Sequence, residues 1–153
     1  MNYWLMKTEP STFSIDDLAR VRNRTTAWDG VRNFQARNYM REMRRGDLAF
    51  FYHSSCDVPG IAGIVSVTRE AYPDHTAFDP ADHHFDEKSS PSSPRWFMVD
   101  VKLVTKFDRI IPLEELRRYG AGKLKSMVIL KRGNRLSITP IAKAEWDFIN
   151  SLQ

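Results

Sequence analysis

Apolar residues in this chain fall in short runs broken by polar turns, with few stretches of helical spacing. Tyr3 to Lys7 is one such run, stopped at Glu9-Pro10, and predicts a strand entering a turn. Ser14-Ile15-Asp16-Asp17 has the form of a capping box with Asp in place of Glu and predicts a helix to about Arg22. Thr25 to Trp28 reads as a brief extended piece. From Asn33 to Arg44, Ala36, Met40 and Met43 share one face and Arg37, Arg41 and Arg44 the adjacent one. That spacing predicts an amphipathic helix, ended by Gly46-Asp47. Leu48 to His53 and Ile61 to Val67 read as buried strands joined through Asp57-Val58-Pro59-Gly60.

Tyr72 to Pro94 breaks the rhythm. It is rich in Asp, His, Ser and Pro and reads as a long functional or mobile loop, without an assignable pattern over Thr76 to Ser93. Trp96 to Phe107 predicts a long strand, and Pro112 suits the first turn of a helix through Leu113, Leu116 and Tyr119, closed by Gly120 and Gly122. Val128 to Leu130 and Leu136 to Ile138 are short strand candidates around Arg132-Gly133-Asn134. Thr139-Pro140 is expected to open a terminal helix with Ile141, Ala144, Phe148 and Leu152 on one face. Short strands interleaved with short helices lack a βαβ rhythm. They predict an α+β fold, a small mixed or mostly antiparallel barrel with helices around it.

Composition narrows this little. A chain of 153 residues, 42% hydrophobic and 27% charged, fits one soluble globular domain spanning 1–153. No apolar run approaches the roughly 20 residues that span a bilayer, and no signal peptide is visible. The single cysteine, Cys56, excludes an internal disulfide and fits a reducing compartment, so the expected location is cytoplasmic. The net charge of +4, carried mostly by arginine, permits a polyanionic partner and favours bidentate phosphate or base-edge contacts.

The candidate chemistry centres on Trp28-Asp29-Gly30-Val31-Arg32-Asn33. A flat ring, groups that read a polar edge and neighbouring positive charge are what a nucleobase site needs. A turn whose tryptophan enters the core is the simpler reading. Trp28, Asn33, Tyr52 and His53 line one pocket if the strand beside the arginine helix faces it. The arginine face has only Glu42 to balance it, which points to an anionic partner. Catalytic signals are weak. His53 and Cys56 are too close on an extended segment for their side chains to meet easily, and neither a phosphate loop nor a nucleophile elbow is present. Asp74, His75, Asp79, Asp82, His83, His84 and Asp86 crowd one loop, but their spacing matches no recognised ligand set. No metal or cofactor is expected.

Taken together, several motifs resemble an EVE domain. They are Tyr3-Trp4-Leu5-Met6-Lys7-Thr8-Glu9-Pro10, Trp28 through Asn38, Gly46-Asp47, and Phe51-Tyr52-His53-Ser54, followed by Pro59-Gly60-Ile61, Ala71-Tyr72-Pro73-Asp74, Pro94-Arg95-Trp96 and Arg135 through Pro140. The resemblance runs in order along essentially the whole chain. It implies a PUA-like fold, a twisted mixed β-barrel with peripheral helices, akin to YTH and ASCH domains. It also implies a non-catalytic module that binds nucleic acid with a modified base, DNA before RNA and modified cytosine first, flipped into a pocket. On that analogy the pocket draws on Lys7, Glu9 and Pro10, on Trp28, Gly30, Val31, Arg32 and Asn33, and on Tyr52, His53 and Ser54. Thr8 stands where the family more often has Ser, which adds a methyl to the pocket wall. Phosphates would fall to Arg37, Arg41 and Arg95, and Arg32 either touches the ligand or holds its own loop through an internal carboxylate. The alternative is an ASCH-like nucleoside amidohydrolase using Lys7 and Glu9.

Overall fold

The computed structural model describes residues 1–153. Its elements run β1 (Tyr3–Thr8), α1 (Ile15–Arg20), β2 (Thr25–Ala27), α2 (Phe34–Glu42), β3 (Leu48–His53), β4 (Gly60–Pro73), β5 (Phe97–Pro112), α3 (Leu113–Arg117), β6 (Ile138–Ile141) and α4 (Lys143–Asn150). The six strands form one sheet in the order β2-β5-β4-β3-β1-β6, with β1 and β3 parallel and the other pairs antiparallel. This is the expected α+β class with a mixed sheet. Helix α2 touches β4, β5 and β6. Because β5 is second in the order and β6 last, one helix reaches both only if the sheet curls around it, as in a barrel.

The curl originates in β4 and β5, whose pairing shifts register at Ile61/Gly63, Ile64/Val65, Val67/Arg69 and Arg69/Tyr72. Gly63 permits a close approach. A Cβ there would lie 2.3 Å from the Thr105 carbonyl oxygen and 2.4 Å from Ile15 Cδ1.

Strand alternation splits the apolar residues into two cores. Phe51, Met6 and Trp4 join Ile15 and Leu18 of α1 and Ala36 and Met40 of α2 in one. Phe50, Tyr52 and Leu5 join Leu116 of α3 and Trp146 and Ile149 of α4 in the other. Buried Asp47 fastens the end of α2 to β1. It accepts from Trp4 Nε1 at 3.1 Å and from the Arg44 and Asn2 backbone N–H at 2.9 and 3.1 Å.

The Ser14–Asp17 capping box forms as expected, although α1 stops at Arg20. The structure corrects three other expectations. Val128–Leu130 is a single 3-10 turn that buries Ile129, not a strand. Thr139 and Pro140 lie in β6, paired with Leu5 and Trp4, so they do not open a helix. Pro140 is tolerated there because β6 is an edge strand. Helix α4 therefore starts later and buries Glu145, Trp146 and Ile149, while Ala144 is exposed. No helix is long and apolar enough to cross a membrane.

His53, at the end of β3, is 8% exposed, and its Nε2 accepts the Ile15 backbone N–H at 3.1 Å. That bond requires the neutral ring, and burial pushes the pKa below its ordinary value. With the folded pKa depressed, the stabilisation is complete above about pH 6.5 and lost as pH falls below it. The unfolding temperature should therefore drop between about pH 7 and 5, and His53→Gln, which keeps an acceptor but does not titrate, should flatten that drop. Equal pH dependence in the two proteins would contradict the assignment.

Candidate functional site

The carboxyl ends of the parallel strands β1 and β3 meet where Ser54 N–H donates to the Thr8 carbonyl at 2.9 Å. A cavity of about 1030 Å³ opens there. One wall is the turn after β1, with Lys7, Thr8, Glu9, Thr12 and Phe13; another is the segment from Thr26 to Asn33. Ser54 and Ser55 form the end, and Asp82, His83, His84, Arg135 and Ser137 complete the rim.

Trp28 belongs to the core and also lines the cavity. The indole is 7% exposed and meets Phe51 edge to face at 5.5 Å, so it is core. The remaining surface faces the cavity, so it is also wall. Its backbone is anchored by donation to the Val99 carbonyl at 2.7 Å, which continues the β2–β5 pairing by one residue.

Asp74 organises the segment that follows. It is fully buried and accepts from Gly30 N–H at 2.8 Å, Arg32 Nη1 at 3.0 Å, and both the backbone N–H and the hydroxyl of Thr76. Burial alone would raise its pKa, but the hydrogen bonds from Thr76, Gly30 and Arg32 outweigh that and hold it below the usual carboxylate value. Arg32 also donates to the His84 carbonyl from Nε at 3.0 Å and from Nη2 at 2.8 Å. Of its two expected roles, the internal one is realised: Arg32 lines the cavity with its guanidinium committed to the long loop. Gly30 has φ +76°, and the His84 imidazole packs against it where a Cβ would come within 2.5 Å of Nε2.

The composition of the long loop now has a cause. Asp74, Asp79, Asp82 and Asp86 each accept from the backbone N–H two residues on, so each makes an Asx turn. Of the seven potential ligand residues, Asp82, His83 and His84 form a group of three whose ligand atoms lie within 4.8 Å of one another.

Asn33 caps α2, with Oδ1 accepting from Ala36 N–H at 3.0 Å, which leaves its amide N–H₂ for a ligand. Half-buried Lys7 has its pKa lowered by burial, with no carboxylate offsetting it. Arg37, Arg41 and Arg95 gather on the adjoining surface, where Arg37 Nη1 donates to the Arg95 carbonyl at 2.9 Å. Partial burial, then Arg41, then Arg95 push the Arg37 pKa down. Of the three, Arg95 alone has a carboxylate near it, Asp86 at 3.7 Å.

Three expected pocket residues lie elsewhere. Tyr52 points to the opposite face of β3, 2% exposed in the second core, and burial pushes its hydroxyl up to about 12. His53 is spent on α1. Pro10 shapes the turn without lining the cavity. Phe13, Arg135 and Ser137 were not anticipated as lining residues. Phe13 could have been suspected from its place just before the helix cap Ser14.

Fold and site together define a PUA-like α+β domain with a cavity lined mostly by polar residues and arginines beside it. The chain belongs to the EVE domain family, whose sequence model matches residues 2–152. It is 48% identical over 167 residues to thymocyte nuclear protein 1 of Mus musculus, covering 99% of this chain and 74% of that protein. A crystal structure from Pseudomonas putida superposes with a TM-score of 0.93 at 47% identity, covering 98% of each chain. Human THYN1 crystallised with 5-methylcytosine-containing DNA superposes with a TM-score of 0.95 at 47% identity, covering 99% of this chain and 97% of that one.

Asp74→Ala leaves Gly30 N–H and Arg32 without their shared acceptor. It should cost about 2–4 kcal/mol and lower the unfolding temperature by about 5–15 °C, with faster proteolysis of the loop after Asp74. An unchanged unfolding temperature would remove Asp74 from its central place.

Proposed function

We propose that this chain is a non-catalytic reader of modified cytosine in DNA, taking the flipped base into the cavity beside Trp28. The observation that carries the reading is the cavity itself. Its size suits a nucleotide, an indole forms part of its wall, and Asn33, Lys7 and Ser54 supply polar groups at fixed positions. The relative crystallised with 5-methylcytosine DNA, nearly half identical along the whole domain, supports the choice of base. Flipping costs a few kcal/mol, which stacking and edge hydrogen bonds must recover. Arg37, Arg41 and Arg95 are the phosphate contacts, their mutual repulsion relieved by an anion.

The amidohydrolase reading has one observation in its favour, the burial-lowered pKa of Lys7 in the cavity. Release of a hydrolysis product from modified nucleosides, lost in Lys7→Met, would establish it and displace the reader.

Titration of duplexes identical except for one 5-methylcytosine should show tighter binding of the methylated one; equal affinities would overturn the reading. The same methylated sequence as RNA should bind more weakly. Because Trp28 is part of the core, Trp28→Ala would confound binding with stability, and Trp28→Phe is the better probe. It should reduce the preference for the methylated duplex without unfolding the protein. Arg37→Ala with Arg41→Ala should weaken both duplexes alike and make the slope of log affinity against log salt shallower by about 2. An unchanged slope would move the phosphate track off α2.

A further inference from the structure

Phe34 opens α2 with its ring 52% exposed, and neither core nor cavity uses it. The ring is nonetheless held in place. It stacks on Trp96 with centroids 4.9 Å apart and planes 25° from parallel. Trp96 is 5% exposed, and its indole N–H donates to Asp86 Oδ2 at 2.7 Å, so the support beneath Phe34 is fixed. The guanidinium groups of Arg37 and Arg95 lie 4.9 and 5.9 Å from the Phe34 ring centroid.

Phe34 is also joined to the cavity. Its chain neighbour Asn33 lines the cavity, and the Arg32 guanidinium lies 5.5 Å from the Trp96 ring centroid. The surface beside the cavity thus offers a rigid apolar plate flanked by two guanidiniums, of which Arg95 is also 3.7 Å from Asp86 and Arg37 is paired with no carboxylate. Duplex DNA is complementary to it, with stacked base faces for the plate and flanking phosphates for the guanidiniums. A base drawn into the cavity leaves an unstacked gap, and an apolar side chain that fills it recovers part of the cost.

We propose that Phe34 enters the duplex at the place vacated by the flipped base and holds the helix open while that base lies in the cavity. This rests on the modified-base reading. It makes Phe34 a positioning residue for flipping, separate from recognition of the base.

The test compares two duplexes, one with 5-methylcytosine paired to guanine and one with 5-methylcytosine opposite adenine, where the base is already loosely stacked. Phe34→Ala should bind the paired duplex about tenfold or more weakly than wild type, and the mismatched duplex within about twofold, while Phe34→Trp recovers most of the loss. If Phe34→Ala does not fold, Phe34→Leu, which keeps bulk against Trp96 but not the flat plate, takes its place with a smaller loss in the same direction. Equal losses on both duplexes would make Phe34 an ordinary contact and overturn the proposal, as would no loss on either. A wild type that does not prefer methylated DNA would instead overturn the reader itself, and the role of Phe34 with it.

Discussion

One buried carboxylate ties the cavity wall at Gly30 and Arg32 to the long loop. Asp74 takes the backbone N–H of Gly30, the guanidinium of Arg32, and two donors from Thr76. It stands at the end of β4, where its own N–H donates to the Trp96 carbonyl and closes the neck of the long loop. One side chain thus joins the middle of the Trp28–Asn33 wall to the loop that supplies Asp82, His83 and His84 to the rim. An isolated carboxylate would be costly at zero exposure, but four donors make the buried, ionised form the stable one.

That arrangement divides labour among residues of similar type. Arg32 is spent on Asp74 and His84, so it shapes the cavity but brings no free charge to a ligand. Arg37 and Arg41, nine residues or fewer along the chain, are paired with no carboxylate and gather beside Arg95, which is itself 3.7 Å from Asp86. Asn33 is divided within itself: its oxygen holds α2 in place while its nitrogen remains available.

Much of this was legible in the sequence. The α+β class, the capping box at Ser14 and the face of α2 that carries Arg37 and Arg41 follow from local spacing, although Arg44, expected on that face, lies beyond the helix and pairs with Glu70. Trp28–Asn33 stood out by its residue types. The EVE resemblance placed the motifs in order along the chain. What failed depended on tertiary context. Tyr52 and His53 are adjacent on a strand and so cannot face the same way; the pleat sends Tyr52 to one core, and α1 claims the His53 nitrogen. Thr139-Pro140 carries a good helix-start signal, yet pairing with β1 makes it an edge strand. The loop from Thr76 to Ser93 lacked apolar periodicity because its order comes from Asx turns, a pattern visible only once each Asp is seen bonded two residues on.

The central claim is that a modified base enters the cavity beside Trp28, and the four tryptophans allow it to be watched directly. Indole N–H resonances followed while methylated duplex is added should show Trp28 shifting strongly and Trp96 shifting with it. Trp4, bonded to Asp47, and Trp146, in the second core, should stay in place. A Trp28 resonance that does not move while the protein binds methylated DNA would contradict the base pocket.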